Sequence, residues 1–248
     1  MRLFITNVIL SNYRTFWSRN MIIQIEILDC GIVIAMLRIN CPVCSTETKD
    51  QFYHDKFRSY YFCHYCELIF VPSQYFLSET EEKSRYDLHE NNLNDPGYRK
   101  FLSRMLNPMK DRIKIADKGL DFGSGPTPVL AAMFTELGYE IDIYDHFYAN
   151  NPSALTKEYD FIVCTEVVEH LHSPKATLDI VWAQLKPGGT VGIMTKISTG
   201  MDRFPTWHYK NDETHVSFFS KKTFECLANF WNAELEFIKN DVILFKKS

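Results

Sequence analysis

From Lys118 to Ser248, short apolar runs alternate with stretches of helical periodicity, the order expected of a parallel sheet flanked by helices. Gly119-Leu120-Asp121-Phe122 reads as the end of a first strand. Thr127-Pro128 then opens a helix, with Thr as N-cap and Pro as the first helical residue, and Gly138 closes it. Glu140 to Tyr144 and Phe161 to Thr165 are further strands, and Ser173-Pro174 starts a second helix that ends before Lys186-Pro187-Gly188-Gly189. Thr190 to Thr195 follows as a fifth strand, with one short strand expected ahead of it. At the end of the chain only Asn240-Asp241 separates the strands Glu234 to Lys239 and Val242 to Lys246. Two residues cannot carry a parallel crossover, so this pair is an antiparallel hairpin.

Upstream the pattern changes twice. Ser78-Glu79-Thr80-Glu81 begins a charged, helix-prone stretch, broken at Asp95-Pro96-Gly97. Before it lies a cysteine-containing segment, and before that an apolar leader. Met21 to Leu37 resembles a membrane span in hydropathy, but Gln24, Glu26 and Asp29 interrupt it, and each acid at a bilayer centre costs on the order of 3 kcal/mol. Ile23, Ile25 and Ile27 alternate with Gln24 and Glu26, so a strand followed by a turn at Asp29-Cys30-Gly31 is expected instead. The first nineteen residues lack the apolar core and small-residue cleavage site of a signal peptide. The expected organisation is a leader over 1–37, a zinc-ribbon-like module over 38–77, a helical connector or lid over 78–117 and an α/β domain over 118–248.

Composition narrows the function. With 46% hydrophobic and 23% charged residues the chain is an ordinary globular one, rich in aromatics at 15%. A net charge of -4 provides no general attraction for phosphate backbones, which disfavours nucleic acid as a partner and favours a small molecule. The seven cysteines include Cys41-Pro-Val-Cys44 and Cys63-His-Tyr-Cys66, a C-x2-C-x18-C-x2-C pattern within the range of a four-thiolate zinc site. Four thiolates close the tetrahedron, so the Zn2+ would be structural, and a cytoplasmic location follows from reduced thiols. Ser45 and Glu67 stand where a knuckle glycine is usual, a departure from the pattern of regular knuckle turns. Cys30, Cys164 and Cys226 sit in apolar surroundings and read as core, with His54 and His64 as bystanders.

Asp121-Phe122-Gly123-Ser124-Gly125-Pro126-Thr127 joins a strand to a helix, where glycines let a ligand approach the backbone and helical N–H groups suit an anion such as a carboxylate. Asp145 ends the second strand, placed to accept hydrogen bonds from both ribose hydroxyls. Pro128 occupies the third glycine position of the dinucleotide fingerprint, and Asp121 would repel a pyrophosphate while suiting an ammonium. An amino acid, a sulfonium and an adenosine in one molecule, S-adenosylmethionine, match these features together.

Four segments in order, GLDFGSGP (Gly119 to Pro126), IDIYD (Ile141 to Asp145), YDFIVCTEVVEHL (Tyr159 to Leu171) and LKPGG (Leu185 to Gly189), resemble the class I S-adenosylmethionine-dependent methyltransferases. The cysteine pairs, RYDLHEN and WHYKNDETH extend the resemblance to bacterial members with an N-terminal zinc-binding motif. The resemblance implies a doubly wound Rossmann-like sheet of seven strands, mostly parallel and ending in the antiparallel hairpin. It further implies that Asp121, Gly123, Ser124 and Gly125 hold the methionine part, Asp145 the ribose, and Thr165 or Glu166 the cofactor from the next strand.

On the acceptor side, Glu166, Glu169 and His170 follow a strand at the carboxyl edge of the sheet, where a short turn would bring Glu166 and His170 onto one face. Trp207-His208-Tyr209, Asp212, Thr214 and His215 lie in a loop of about twenty residues, a length usually tied to function. His208 and His215 are the first candidates for a general base, ahead of His170, although orientation and exclusion of water suffice for much of methyl transfer. Tyr86, Asp87, His89 and Asn91 are lid candidates. An RNA substrate would call on Lys56, Arg58, Arg99, Lys100 and Arg104, and a non-catalytic cofactor-binding protein is the third reading.

Overall fold

The computed structural model describes residues 13–18, 21–27, 33–48, 51–88 and 92–248. The turn expected at Asp29-Cys30-Gly31 and the lid candidates His89 and Asn91 lie outside them. The N-terminal strands β1 (Tyr13–Ser18), β2 (Met21–Ile27), β3 (Val33–Asn40) and β4 (Glu47–Thr48) form an antiparallel sheet in that order. The alternating segment is therefore a strand, and among the described residues no helix is long and apolar enough to cross a membrane.

β5 (Gln51–His54), β6 (Ser59–Phe62) and β7 (Ile69–Phe70) follow. α1 (Glu79–Tyr86) starts at a capping box in which the Ser78 hydroxyl accepts from the Glu81 N–H and the Glu81 carboxylate accepts from the Ser78 N–H. Asp95 caps α2 (Pro96–Lys110), so Asp95-Pro96-Gly97 both ends the connector and begins a helix.

The main sheet comprises β8 (Lys118–Phe122), β9 (Glu140–Tyr144), β10 (Tyr159–Thr165), β11 (Leu185–Met194), β13 (Glu234–Ile238) and β14 (Val242–Lys246), in the order β13-β14-β11-β10-β8-β9. β9, β8, β10 and β11 are parallel, and β14 and β13 are antiparallel, as the short hairpin required. Helices α3 (Val129–Glu136), α4 (Pro174–Ala183) and α5 (Lys221–Trp231) connect these strands, and β12 (Ser217–Phe218) precedes α5.

Two details differ from expectation. Among the described residues the sheet has six strands, because residues 145–158 between β9 and β10 are too few for two crossovers around an extra strand; they hold a short 3-10 turn at Pro152–Thr156 instead. Pro128, not Thr127, occupies the N-cap of α3, and no side chain caps it.

Helices cover both faces of this sheet. On one face Leu102, Met105 and Met109 of α2 and Val129, Leu130 and Phe134 of α3 pack on Phe161, Val163 and Leu244. Gly192 permits the approach of α2, since a Cβ there would stand 2.6 Å from the Met105 sulfur. On the other face Leu178, Val181, Phe224 and Leu227 meet Leu120, Ile162, Ile193 and Phe245, and Ile39, Cys41, Val43, Cys63 and Cys66 belong to the same cluster. The cysteine segment is thus packed into the core of the α/β domain. It is also stitched to it, because β12 pairs with β7 and extends the sheet β12-β7-β6-β5.

Candidate active site

The parallel strands reverse direction of build-out between β8 and β10, the switch point where open α/β sheets leave a crevice at the carboxyl ends. A cleft of about 1160 Å³ opens there, above the roughly 300–1,000 Å³ of a single small-ligand site. Its lining includes Gly123, Ser124, Gly125, Asp145, Thr165, Glu166, His170 and His215. Residues spread over ninety positions of sequence therefore meet in one space.

At the exit of β8, Gly123 (φ 78°) and Gly125 (φ 67°) take the left-handed backbone that glycine adopts without strain. A Cβ on Gly123 would lie 2.3 Å from Val167, whereas one on Gly125 would meet nothing within 4 Å and would project into open space. The loop amides expected to face an anion are directed inward: Gly123 and Ser124 donate to the Tyr144 carbonyl at 2.7 and 3.2 Å, and Gly125 donates to Asp145 Oδ2 at 2.9 Å. Asp145 Oδ1 accepts from the Phe147 and Tyr148 N–H groups at 2.9 and 3.0 Å, which fixes the carboxylate while leaving lone pairs for a diol.

Asp121 lies beneath the loop, 3% exposed, and accepts from the Ala131 N–H at 3.2 Å. Burial raises its pKa to about 7, with the Asp145 charge adding to the effect. Ser124 Oγ and Thr165 Oγ1 are buried and have no hydrogen-bond partner among the described residues. Buried hydroxyls are ordinarily paired, so two such atoms beside one cleft mark places for a ligand.

β10 leads into Glu166, which itself has a positive φ (52°), and then into a 3-10 turn at Val168–His170. This geometry brings Glu166 and His170 to the same cleft. Burial raises Glu166 to about 7 against the lowering charges of Lys196 and Arg104, and raises Glu169 to about 8 with help from the Glu166 charge. Tyr209 donates a short hydrogen bond to Glu169 Oε1, and the second carboxylate oxygen, Oε2, is buried without a partner. His215 packs against His170, ring centroids 4.7 Å apart, and its Nδ1 donates to the Tyr209 carbonyl at 2.7 Å. Burial lowers the His215 pKa against the opposing charge of Asp212, whose Oδ2 lies 3.8 Å from Nε2. His208 is exposed, lies 3.1 Å from Lys196 Nζ through its Nε2, and is not among the cleft residues.

The loop carrying His215 is held from the cysteine segment. Arg58 is 5% exposed, and its guanidinium donates to the carbonyls of Lys210, Asp212, Glu213 and His215 at 2.6 to 3.0 Å. Its Nε donates to Tyr60, whose hydroxyl donates to Asp55. As an RNA contact Arg58 is thus corrected, since no donor of the fork faces solvent. Arg99 pairs with Glu136, and Arg104 pairs with Asp241 at 2.6 Å. Around this clamp Tyr60, Phe204, Tyr209 and Phe218 form an aromatic cluster that the composition hinted at but did not locate.

α1 covers the cleft. Glu79, Glu82 and Tyr86 line it, while Asp87 accepts from Tyr148 at 2.6 Å, His146 bonds Glu79 at 2.8 Å and Arg85 bonds Glu213 at 2.5 Å. Tyr98 and Phe101 of α2 complete the wall and were not singled out in the sequence; their place in an amphipathic helix resembles ordinary core.

The four sulfurs of Cys41, Cys44, Cys63 and Cys66 lie within 4.8 Å of one another, with Cys41–Cys66 at 3.5 Å and Cys44–Cys63 at 3.4 Å. These spacings are too long for disulfides and close to the about 3.8 Å edge of a tetrahedron with metal–sulfur bonds of about 2.3 Å. The knuckle turns are regular despite the missing glycines. Ser45 (φ 61°) and Glu67 (φ 58°) adopt the left-handed conformation, with Ser45 N–H to Cys41 O at 2.9 Å and Glu67 N–H to Cys63 O at 2.7 Å. The Cys66 carbonyl accepts from Thr223 of α5 at 2.8 Å.

Comparison with known proteins agrees with this geometry. The profile of the methyltransferase-domain family matches residues 91–238. A ubiquinone biosynthesis O-methyltransferase of Klebsiella pneumoniae is 29% identical over 77 residues, 31% of this chain and 32% of the relative. The enzyme of the same name from Erwinia tasmaniensis is 30% identical over the same shares. The match spans about a third of the length of these curated relatives. Among solved structures, a SAM-dependent methyltransferase from Archaeoglobus fulgidus aligns with TM-score 0.50 at 15% identity, covering 60% of this chain and 94% of that one, a likeness of fold.

Proposed function

The chain belongs to the methyltransferase-domain family, and from that premise we propose that it transfers the methyl group of S-adenosylmethionine to a hydroxyl of a small, partly apolar molecule. The observation that carries this reading is the pair of partnerless buried hydroxyls, Ser124 Oγ and Thr165 Oγ1, beside a cleft closed on its ribose side by the fixed Asp145 carboxylate. The donor set fits the methyl donor. Asp121 and the loop around Gly123 and Gly125 take its ammonium, Asp145 its ribose diol, and Thr165 and Glu166 flank its centre.

When bound, the donor supplies an electrophilic methyl on a sulfonium, which needs no further activation as a leaving group. The protein's part is to orient the acceptor in line with that methyl, to exclude water and to activate the acceptor oxygen. Tyr86, Tyr98 and Phe101 form apolar walls for the acceptor body. Among the three candidate histidines, His170 and His215 face the acceptor, while His208 lies outside the cleft. A hydroxyl acceptor accords with the O-methyltransferase names of the relatives. RNA is disfavoured, because Arg58, Arg99 and Arg104 are engaged within the fold.

The four cysteines fit a structural Zn2+ that ties the knuckles together beneath α5, in a segment over 38–77 whose Arg58 positions the acceptor loop. Such thiolates require a reducing compartment, and the cytoplasm is the natural one. The test is calorimetric titration of the purified chain with S-adenosylmethionine and its demethylated product, followed by incubation with isotopically labelled donor and a metabolite extract, with and without nuclease. Absence of heat for both ligands overturns the reading, and label that disappears on nuclease treatment overturns the small-molecule acceptor.

A further inference from the structure

A second feature of the cleft is left over from this account. Glu169, His170 and His215 each offer one ligand atom within 4.8 Å of the others, although forty-five positions separate His170 from His215 in sequence. Donors around one cation with bonds of about 2.1 Å lie about 3–4 Å apart, so small side-chain adjustments bring all three onto a single ion. Glu169 is fully buried, and Oε2 has no partner among the described residues while Oε1 is held by Tyr209. A carboxyl oxygen so placed, with no hydrogen bond and no water access, takes up either a proton or a cation, and a cation that displaces the proton gains the full charge of the carboxylate.

The imidazole of His215 has the tautomer a ligand needs. A carbonyl can only accept, so Nδ1 bears the proton in its 2.7 Å bond to Tyr209, and Nε2, 3.8 Å from Asp212 Oδ2, is the ring nitrogen left to meet a cation. A ring whose far nitrogen is fixed by a backbone carbonyl, and a carboxylate whose other oxygen is fixed by a tyrosine, are the outer supports typical of metal ligands. Tyr209 supplies both, one through its carbonyl and one through its hydroxyl. His170 and His215 line the cleft, so an ion there has coordination positions open to a bound molecule.

We propose that Glu169, His170 and His215 bind a divalent transition cation, separate from the four-cysteine cluster, and that this ion takes the acceptor's hydroxyl oxygen as a ligand. The inference rests on the methyltransferase reading and gives it a means of activating the acceptor. Two imidazoles and one carboxylate suit Mn2+, Co2+ or Zn2+ better than Mg2+, which prefers oxygen alone. A coordinated hydroxyl is more acidic and sheds its proton to solvent. The oxygen lone pair then forms the C–O bond as the C–S bond breaks, and the sulfonium becomes a neutral thioether. The net change is one methyl gained by the acceptor and one proton released.

The experiment uses the full chain, loaded with one equivalent of zinc, which four thiolates take ahead of two imidazoles and a carboxylate, and titrated with Mn2+ while electron paramagnetic resonance follows the free ion. Mn2+ is a hard probe that thiolates bind poorly, which keeps the cysteine cluster out of the measurement. One Mn2+ bound per chain is expected, with affinity lowered at least tenfold in Glu169→Gln and in His215→Ala. Electron spin-echo spectra of the wild-type complex should show nitrogen couplings from imidazole, a readout that needs no variant to fold. Calorimetry with S-adenosylhomocysteine on the same samples reports whether each protein retains its cofactor site. Retained S-adenosylhomocysteine binding with no bound Mn2+, with Mn2+ lacking nitrogen couplings, or with unchanged affinity in both variants overturns the metal site alone. Failure of the wild type to bind S-adenosylhomocysteine overturns the underlying reading instead.

Discussion

Replacing Arg58 by Met tests whether the cysteine segment and the loop that carries His215 form one cooperative unit. The guanidinium is buried and meets four backbone carbonyls of residues 210–215, so its removal leaves those acceptors without donors, and the Lys210 and His215 carbonyls are in buried contacts. A hydrogen bond to a charged group contributes about 1.5–3 kcal/mol, but bonds sharing one side chain do not add. Breaking one side of a buried charged network costs about 3–5 kcal/mol, and Met restores part of the packing, so a loss of about 4 kcal/mol is expected. With a urea slope of about 3 kcal/mol/M for a chain of this size, the midpoint falls by about 1.3 M. The assay is equilibrium urea unfolding of the zinc-loaded protein, followed both by tryptophan fluorescence, which includes Trp207 in the loop, and by far-ultraviolet circular dichroism. Arg58→Lys should fall between, because one ammonium cannot reach all four carbonyls. A Met variant within 1 kcal/mol of wild type would refute the clamp, since the loop would then owe its position to the aromatic cluster around Phe204 and Tyr209.

Asp121 links pH to both stability and cofactor binding. Its folded pKa of about 7 exceeds the unfolded 3.8, so the folded state holds the extra proton between these values. The stability of the ligand-free chain therefore declines as pH rises from about 4 to about 7, by up to about 4 kcal/mol from this group. Asp121→Asn should raise the unfolding midpoint at pH 8 and not at pH 4, while weakening S-adenosylhomocysteine binding at least tenfold. An equal shift at both pH values disproves the assignment. In the wild type an ammonium beside Asp121 favours the ionised carboxylate, so affinity should rise from pH 5.5 to 7 with proton release visible by calorimetry in buffers of different ionisation enthalpy. Asp145→Ala removes the acceptor for the diol and should cost at least tenfold in S-adenosylhomocysteine affinity, with adenosine losing affinity in parallel; unchanged adenosine binding would place the ribose elsewhere. Cys63→Ser should lower the zinc content read by atomic emission by one ion per chain and lower the thermal midpoint, because the knuckle backbone anchors α5 through the Cys66 carbonyl. A variant whose zinc content equals that of the wild type would show that the metal is not held there.

The parts of the fold legible beforehand are those written in local pattern. The strand ends at Phe122, Tyr144 and Thr165 are marked by glycine or acid at the sheet edge, and the hairpin follows from a loop too short for anything else. The missing seventh strand was not legible, because a resemblance to a family carries its usual strand count, whereas only the fourteen residues between β9 and β10 limit what this chain can build. The knuckles show the same limit at the level of one residue. Ser45 and Glu67 lack glycine's freedom, yet the left-handed turn forms, because the cost of about 1 kcal/mol for a non-glycine residue is set against hydrogen bonds from each turn and the closure of the cysteine cluster.

Arg58 illustrates why the rest was hidden. A lone arginine in the turn between β5 and β6 reads as a solvated charge, and its role depends on carbonyls more than 150 positions away that the pairing of β7 with β12 brings near. Glu169 and His215 are similar, separated in sequence but joined through Tyr209, which bonds the carboxylate with its hydroxyl and the imidazole with its carbonyl. Spacing along the chain can nominate each of these residues. It cannot give the distance between them, and what two imidazoles can do together depends on that distance: the His170 and His215 rings stand 4.7 Å apart beside one cleft, whereas His208, only seven positions before His215, faces solvent beside Lys196.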